Sequence, residues 1–257
     1  MINYGKCFIF LFALVFHTEV QSSDLWHPGS GDFLEIGMVK NYSAFGYQVY
    51  SPYVVPRFTF GNFELMQSHI NYYVLNTSAI KLGPGLNFAF PIYAGTETDS
   101  LKGMSRGPYF EGLAVAQIAL PFGQLEIVPR YPLYSGEREI DWKANFATGI
   151  PAFKIGSNRS WVNLQYEFTL LSPQTSSYIF GVKAAESTPT RPAYQLGYLP
   201  CHSLVTSYWI PISKRFWITT TMKKDWYPAN ILGSPIVQKN SETTYLIGIL
   251  YSFTGGD

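Results

Sequence analysis

Two serine–histidine neighbours and a few carboxylates are the residues of this sequence whose types could do nucleophilic or acid–base chemistry. A nucleophilic serine needs an imidazole within hydrogen-bond reach. His202 directly precedes Ser203, and Ser68 directly precedes His69. On a strand, adjacent side chains leave on opposite faces, so neither pair can make that contact locally. Neither lies in an H-x-S-N context. Glu137 and Glu139 stand together in a charged turn, where solvation is their expected role. His27, His69 and His202 are scattered, and Cys201-His202 is a lone pair without zinc-type spacing. Gly83-Pro84-Gly85 lies within a strand and not between a strand and a helix. It reads as a bulge or close packing, not as a phosphate loop. No basic cluster points to nucleic acid. The expectation is a non-catalytic protein with no metal, cofactor or nucleic-acid partner.

The chain has 257 residues, 14% charged and 17% aromatic, with a formal net charge of +1. The charged fraction falls well below the ~25% of ordinary globular chains. Tyr, Phe and Trp are spread along the sequence between Gly and Pro punctuation, which suits an all-β protein. At the N-terminus, Lys6 precedes an apolar run from Cys7 to Phe16, followed by polar residues. This reads as a secretory signal over residues 1–22, with the mature chain from Ser23 to Asp257. The run is shorter than the ~20 residues of a spanning helix. Removing it removes Cys7, so Cys201 remains alone and no internal disulfide is expected.

Apolar and polar residues alternate through the mature chain. Val162, Leu164, Tyr166, Phe168 and Leu170 oppose Asn163, Gln165, Glu167 and Thr169. Trp142, Ala144, Phe146, Thr148 and Ile150 oppose Asp141, Lys143, Asn145 and Ala147. Leu125, Ile127, Tyr131 and Leu133 oppose Glu126 and Arg130. A soluble sandwich and a membrane barrel both alternate in this way. Three features favour the barrel. Segments run to ~10 residues, the length of a tilted membrane strand. Aromatics recur at segment ends (Trp142, Phe153, Trp161, Trp209, Trp217 and Trp226), as in interfacial girdles. Connections alternate short and long.

Short periplasmic turns are predicted at residues 61–62, 76–78, 121–123, 155–159 and 211–214. Outer connections are predicted at 67–69, 96–108, 135–138, 171–200 and 228–242. Splitting residues 62–76 into two strands makes the count even. The prediction is a closed antiparallel transmembrane β-barrel of twelve strands, with ten as the alternative, in the outer membrane.

The closing strand shows what its apolar face touches. Tyr245, Ile247, Ile249, Tyr251 and Phe253 share a face and should meet outer-membrane lipid. The pattern Gly248-x-x-Tyr251-x-Phe253 resembles the signal by which the barrel assembly machinery recognises its clients. It departs from that signal in Leu246, at a site usually polar, and in the four residues after Phe253. Glu126, Arg130, Asp141, Lys143 and Glu167 fall inside, either as an ionic network bracing the lumen or as the lining of a solute path.

In the second half, Tyr178-Ile179-Phe180-Gly181-Val182-Lys183-Ala184-Ala185-Glu186 is followed by Arg191-Pro192-Ala193-Tyr194. These segments resemble those of the MipA/OmpV family of outer-membrane proteins. Ser234-Pro235-Ile236-Val237, Leu82-Gly83-Pro84-Gly85-Leu86 and the Tyr251-Ser252-Phe253 ending are similar to further family elements in the same order. Gly233 stands where the family usually has Asp before Ser234. The resemblance implies an outer-membrane barrel that joins a murein-degrading lytic transglycosylase to a bifunctional murein synthase. Other members are treated as porin-like or adhesive. The long outer loop that holds the main motif is then either a recognition surface or a fold over the barrel mouth.

Overall fold

The computed structural model describes residues 32–89, 92–93, 98–133, 139–155 and 158–253. The expected signal over residues 1–22, the 135–138 turn, Glu137 within it, and parts of the 96–108 and 155–159 connections lie outside the described residues.

The strands are β1 (Phe33–Tyr42), β2 (Gln48–Phe60), β3 (Phe63–Met66), β4 (His69–Tyr72), β5 (Leu75–Asn76), β6 (Ile80–Ala89) and β7 (Tyr109–Leu120). They continue with β8 (Gly123–Pro132), β9 (Asp141–Ile155), β10 (Asn158–Leu171), β11 (Leu199–Pro211), β12 (Phe216–Trp226) and β13 (Ser241–Ser252). Neighbours in sequence pair antiparallel, except that β4 and β5 both pair with β6, and β13 pairs with β1. The sheet is therefore a closed barrel. The short turns predicted at 61–62, 121–123 and 211–214 fall at strand junctions, except that Gly123 already belongs to β8 and Pro211 still to β11.

β4 and β5 form one strand broken by a bulge, which makes twelve. His69, Ile70 and Asn71 face Asn87, Leu86 and Gly85, but Leu75 and Asn76 face Leu82 and Lys81, one residue out of step. The extra residue is absorbed at Tyr73–Val74, the usual effect of a bulge. The opposing strand is built for it. A Cβ on Gly83 would lie 1.9 Å from the Tyr72 carbonyl oxygen, so only glycine fits there. The Phe88 N–H donates to Ser68 O, and Ile80 O accepts from the Thr77 N–H. Even-numbered β6 residues thus aim their backbone at β4 and β5. Pro84 falls opposite the bulge, where a missing N–H leaves no ladder bond unmade.

The same device recurs on β2. Its residues 57–60 pair with β3, whereas 48–55 have no strand partner on that side among the described residues. Pro56 O accepts from the Gln67 N–H, so even-numbered β2 residues point away from β1. Pro52 and Pro56 therefore remove donors from this free edge.

Outward positions are apolar and inward ones mostly polar. On β13, Ile247 and Ile249 are 58% and 54% exposed, against 8% and 3% for Leu246 and Leu250. This is the surface of a barrel turned to lipid. Gly248 and Gly37 are register partners, and a Cβ on either would strike Tyr53. The two glycines let the Tyr53 ring lie flat across them and donate to Glu35 Oε1 at 2.6 Å. Gly248 thus has a packing reason within the barrel wall.

Gly83→Ala should destabilise the barrel by about 2 kcal/mol or more through forced overpacking at the bulge. Gly107→Ala, with no atom within 4 Å of its added Cβ, should stay within about 0.5 kcal/mol. Urea unfolding followed by the heat-modifiable gel shift checks both.

Candidate functional site

The lumen is filled in layers. At the end of the short turns, Phe33, Trp209, Trp217 and Leu250 pack together with Val55 and Trp161. Phe33 and Trp209 meet edge-on at 6.4 Å. The sequence reading placed Trp209 and Trp217 in an interfacial girdle. That is corrected here: they are 4% and 2% exposed and point inward. Trp142, Phe153 and Trp226 do face outward.

Above this apolar plug lies a polar layer. Lys143 Nζ is 3.4 Å from Glu167 Oε2, and Lys223 Nζ is 3.5 Å from the same oxygen. Lys223 also reaches Asp225 at 3.3 Å, and Ser203 Oγ donates to Asp225. Gln165 donates to Glu167 at 2.6 Å. On the opposite wall, Arg57 pairs with Glu64 at 2.9 Å, and the Tyr73 hydroxyl donates to Glu64 at 2.6 Å. Lys143 and Glu167 pair directly. Arg130 faces Asp141 in register. Glu126 faces Asn145 and takes its hydrogen bond from Gln117 at 2.8 Å. Every one of these charges is enclosed, and removing one partner of such a pair is costly.

The outer end is capped by packed loops. Residues 43–47, 92–93, 98–106, 172–198 and 227–240 contribute Phe45, Tyr93, Leu101, Met104, Phe180, Val182, Leu196, Ile231 and Ile236 to one apolar core. The lid starts at helix α1 (Pro173–Phe180). Ser172 caps it by accepting from the Thr175 N–H, and Pro173 opens it without wasting a donor. The Ser172 N–H donates to Asp141 Oδ1 at 2.8 Å, which ties the lid to the lumen.

Arg106 holds the lid together. It is fully buried. Its guanidinium grips Glu186 at 2.6 and 2.8 Å, and it donates to Tyr178 O and Gly181 O. It lies 5.5 Å from the Tyr93 ring and 5.3 Å from the Tyr178 ring. Burial raises the Glu186 carboxyl, but the bonds from Arg106 outweigh this and hold it below the ordinary carboxylate range.

The motif residues of the long loop meet in this lid. Val182 and Tyr194 exchange backbone hydrogen bonds, and Tyr194 Oη donates to Asn230 O at 2.8 Å. A Cβ on Gly181 would strike Ser177 O at 2.3 Å, and one on Gly233 would strike Tyr194 Oη at 2.7 Å. Arg191 donates to Glu186 O, Ser100 O and Lys102 O. Ser234 is buried, whereas Ala185 and Pro192 are exposed and lie outside this node. Arg106 itself was not singled out from sequence. Its partner lies 80 positions away, and no local spacing signals the pair.

Beneath the lid is a cavity of about 230 Å3, apolar above (Phe45, Ile179, Phe180) and charged below (Glu167, Lys223, Asp225). Cys201 lines it and is a buried free thiol. Ser203 bonds Asp225, while His202 faces outward and meets the Tyr166 hydroxyl at 2.7 Å. The two are not brought together. Among the described residues, no group of three or more metal-binding side chains occurs.

Three solved structures resemble the chain at low identity. An anion-selective porin from Comamonas acidovorans has TM-score 0.40 at 12% identity, covering 86% of this chain and 98% of that one. The NanC porin has TM-score 0.44 at 12% identity, covering 85% and 98%. The CymD monoaromatic hydrocarbon channel has TM-score 0.40 at 10% identity, covering 87% and 88%. No curated protein matches the chain. A family model described as MltA-interacting protein MipA matches residues 34–253.

Three outcomes follow from the geometry. Glu167→Gln removes the carboxylate shared by Lys143 and Lys223, and should cost about 3–5 kcal/mol in urea unfolding. Arg106→Met should leave the barrel folded but open residues 172–198 to protease. The Glu186 carboxyl is depressed in the fold, so its contribution is complete above the ordinary carboxylate pKa. It is lost only as pH falls through the lower, folded value. Protease protection of the wild-type lid should therefore persist through the usual carboxylate range and fail below it.

Proposed function

The chain belongs to the MipA family, and from that premise we propose that it is a non-catalytic outer-membrane barrel serving as a scaffold. Its partners would be a lytic transglycosylase of the kind the family description names and a murein synthase. The observation that carries this reading is a lumen occupied at both ends, by the aromatic plug below and the packed lid above. Such a barrel offers surfaces rather than a conduit.

The periplasmic rim supplies a surface of the right kind. Arg159 and Lys154 are direct register partners, a like-charge pair that disfavours the bare sheet. Trp161 faces Trp209 in register, so the next turn, with Lys214 and Arg215, adjoins them. All four cations are exposed. An acidic face on a periplasmic partner would complement them and gain specificity from the match.

The rival reading is a passive pore or an adhesin working through the outer loops. Affinity-tagged protein from a detergent extract should retain a lytic transglycosylase or a murein synthase. Charge reversal at Lys154, Arg159, Lys214 and Arg215 should abolish that retention while heat-modifiable migration is kept. Retention of neither enzyme, together with an ion-selective current in planar bilayers, would favour the pore and overturn the scaffold.

A further inference from the structure

We propose that the outer rim of β12, β13 and β1 is a binding site for one phosphorylated lipid headgroup of the surrounding leaflet. The inference rests on the barrel spanning the outer membrane.

Away from the periplasmic rim, the outward positions of the described strands carry two charged side chains, Lys40 and Lys224. The carboxylates of the neighbouring strands, Glu35, Glu167, Asp225 and Glu242, occupy the opposite, inward parity. Below the two lysines, Ile36, Met38, Met222, Ile247 and Ile249 form an exposed apolar band. The lysines thus stand at its upper boundary, on the side of the long loops.

The two ammonium groups reach the same level of the wall. Lys40 Nζ lies 4.6 Å from the Tyr42 ring and 4.8 Å from the Tyr50 ring. Lys224 Nζ donates to Ser241 Oγ at 3.0 Å and Thr243 Oγ1 at 2.9 Å. Tyr42 and Thr243 are direct register partners on β1 and β13. Both lysines therefore lean to one height, on β1 and β12, which flank β13. Two inter-strand spacings, ~10 Å, separate these strands, a span that one headgroup with two phosphates can bridge. The Tyr42 and Tyr245 rings, 6.2 Å apart and edge-on, floor the site.

Two cations at a lipid boundary, with no outward carboxylate on these strands, call for an anion from the membrane. Hydroxyls and aromatic faces satisfy part of each ammonium and leave its charge uncompensated. A phosphate-bearing headgroup supplies both charge and acceptors, while its acyl chains lie along the isoleucine band. The aromatic rings suit the interfacial depth where such headgroups sit.

The test uses the folded mature chain in zwitterionic detergent, with bound lipid counted by native mass spectrometry. The probes are a bisphosphorylated, acylated glucosamine disaccharide, its dephosphorylated counterpart, and inorganic phosphate. The phosphorylated lipid should bind at one copy, at least tenfold tighter than the dephosphorylated one, and inorganic phosphate should not displace it. Lys40→Gln and Lys224→Gln should each weaken binding about fivefold and together about thirtyfold. Lys40→Arg with Lys224→Arg should restore it. Equal binding by the double glutamine variant, or equal affinity for the dephosphorylated lipid, would overturn the site. Displacement by millimolar phosphate would assign it to a free anion and overturn the lipid. If the chain keeps its fold without detergent, the membrane reading fails instead, and that outcome is distinct from lipid loss by an intact barrel.

Discussion

Backbone amides in hydrocarbon have no water to bond, and this single constraint shapes the rest of the molecule. A sheet in that setting must close on itself. Closure here takes twelve strands, a C-terminal strand zipped to the first along its full length, and a short hairpin that bridges β2 to β6. Where bonds cannot be made, the sequence withholds the donor. Pro84 lies at the bulge, and Pro52 and Pro56 lie along the free edge of β2. Glycine does the complementary work. Gly83 admits the bulged backbone, and the Gly37–Gly248 pair admits a flat tyrosine.

Closing a sheet of this size creates an interior that something must fill. Side chains fill it here, in three chemically different strata: indoles and aliphatics, then paired charges, then an apolar lid. The middle stratum is costly to desolvate, and each carboxylate there has donors within reach. Glu167 serves two lysines and an amide, and Glu64 serves an arginine and a phenol. Asp141 links this stratum to the lid through the N–H that begins α1. Lumen and lid thus share residues and are not separate modules.

Most of the wall was legible in the sequence, because its signals are local. Period-two alternation separated Ile247 and Ile249 from Leu246 and Leu250, and turn residues located the hairpins. Gly83-Pro84-Gly85 announced an irregularity that the structure places at a bulge. The indoles were ambiguous. Trp209 stands between Tyr208 and Ile210, so alternation is silent there. Trp217 stands between Phe216 and Ile218, and its end-of-strand position suggested an interface that its burial denies. The lid was legible only as a long loop carrying a motif. Its organising contact joins Arg106 to Glu186, and nothing within a short window of either residue encodes a partner that distant.

The uneven strand lengths have a mechanical meaning. β1 and β13 share ten register pairs, so the junction of the chain's two ends is among the firmest in the wall. The contacts of β4 with β6 amount to three pairs, and those of β5 with β6 to two more beyond the bulge. The barrel therefore carries its fault line a third of the way along the chain, not where its termini meet. Strain applied to the wall would unzip the small hairpin first and leave the remaining strands as one curved, still-joined ribbon.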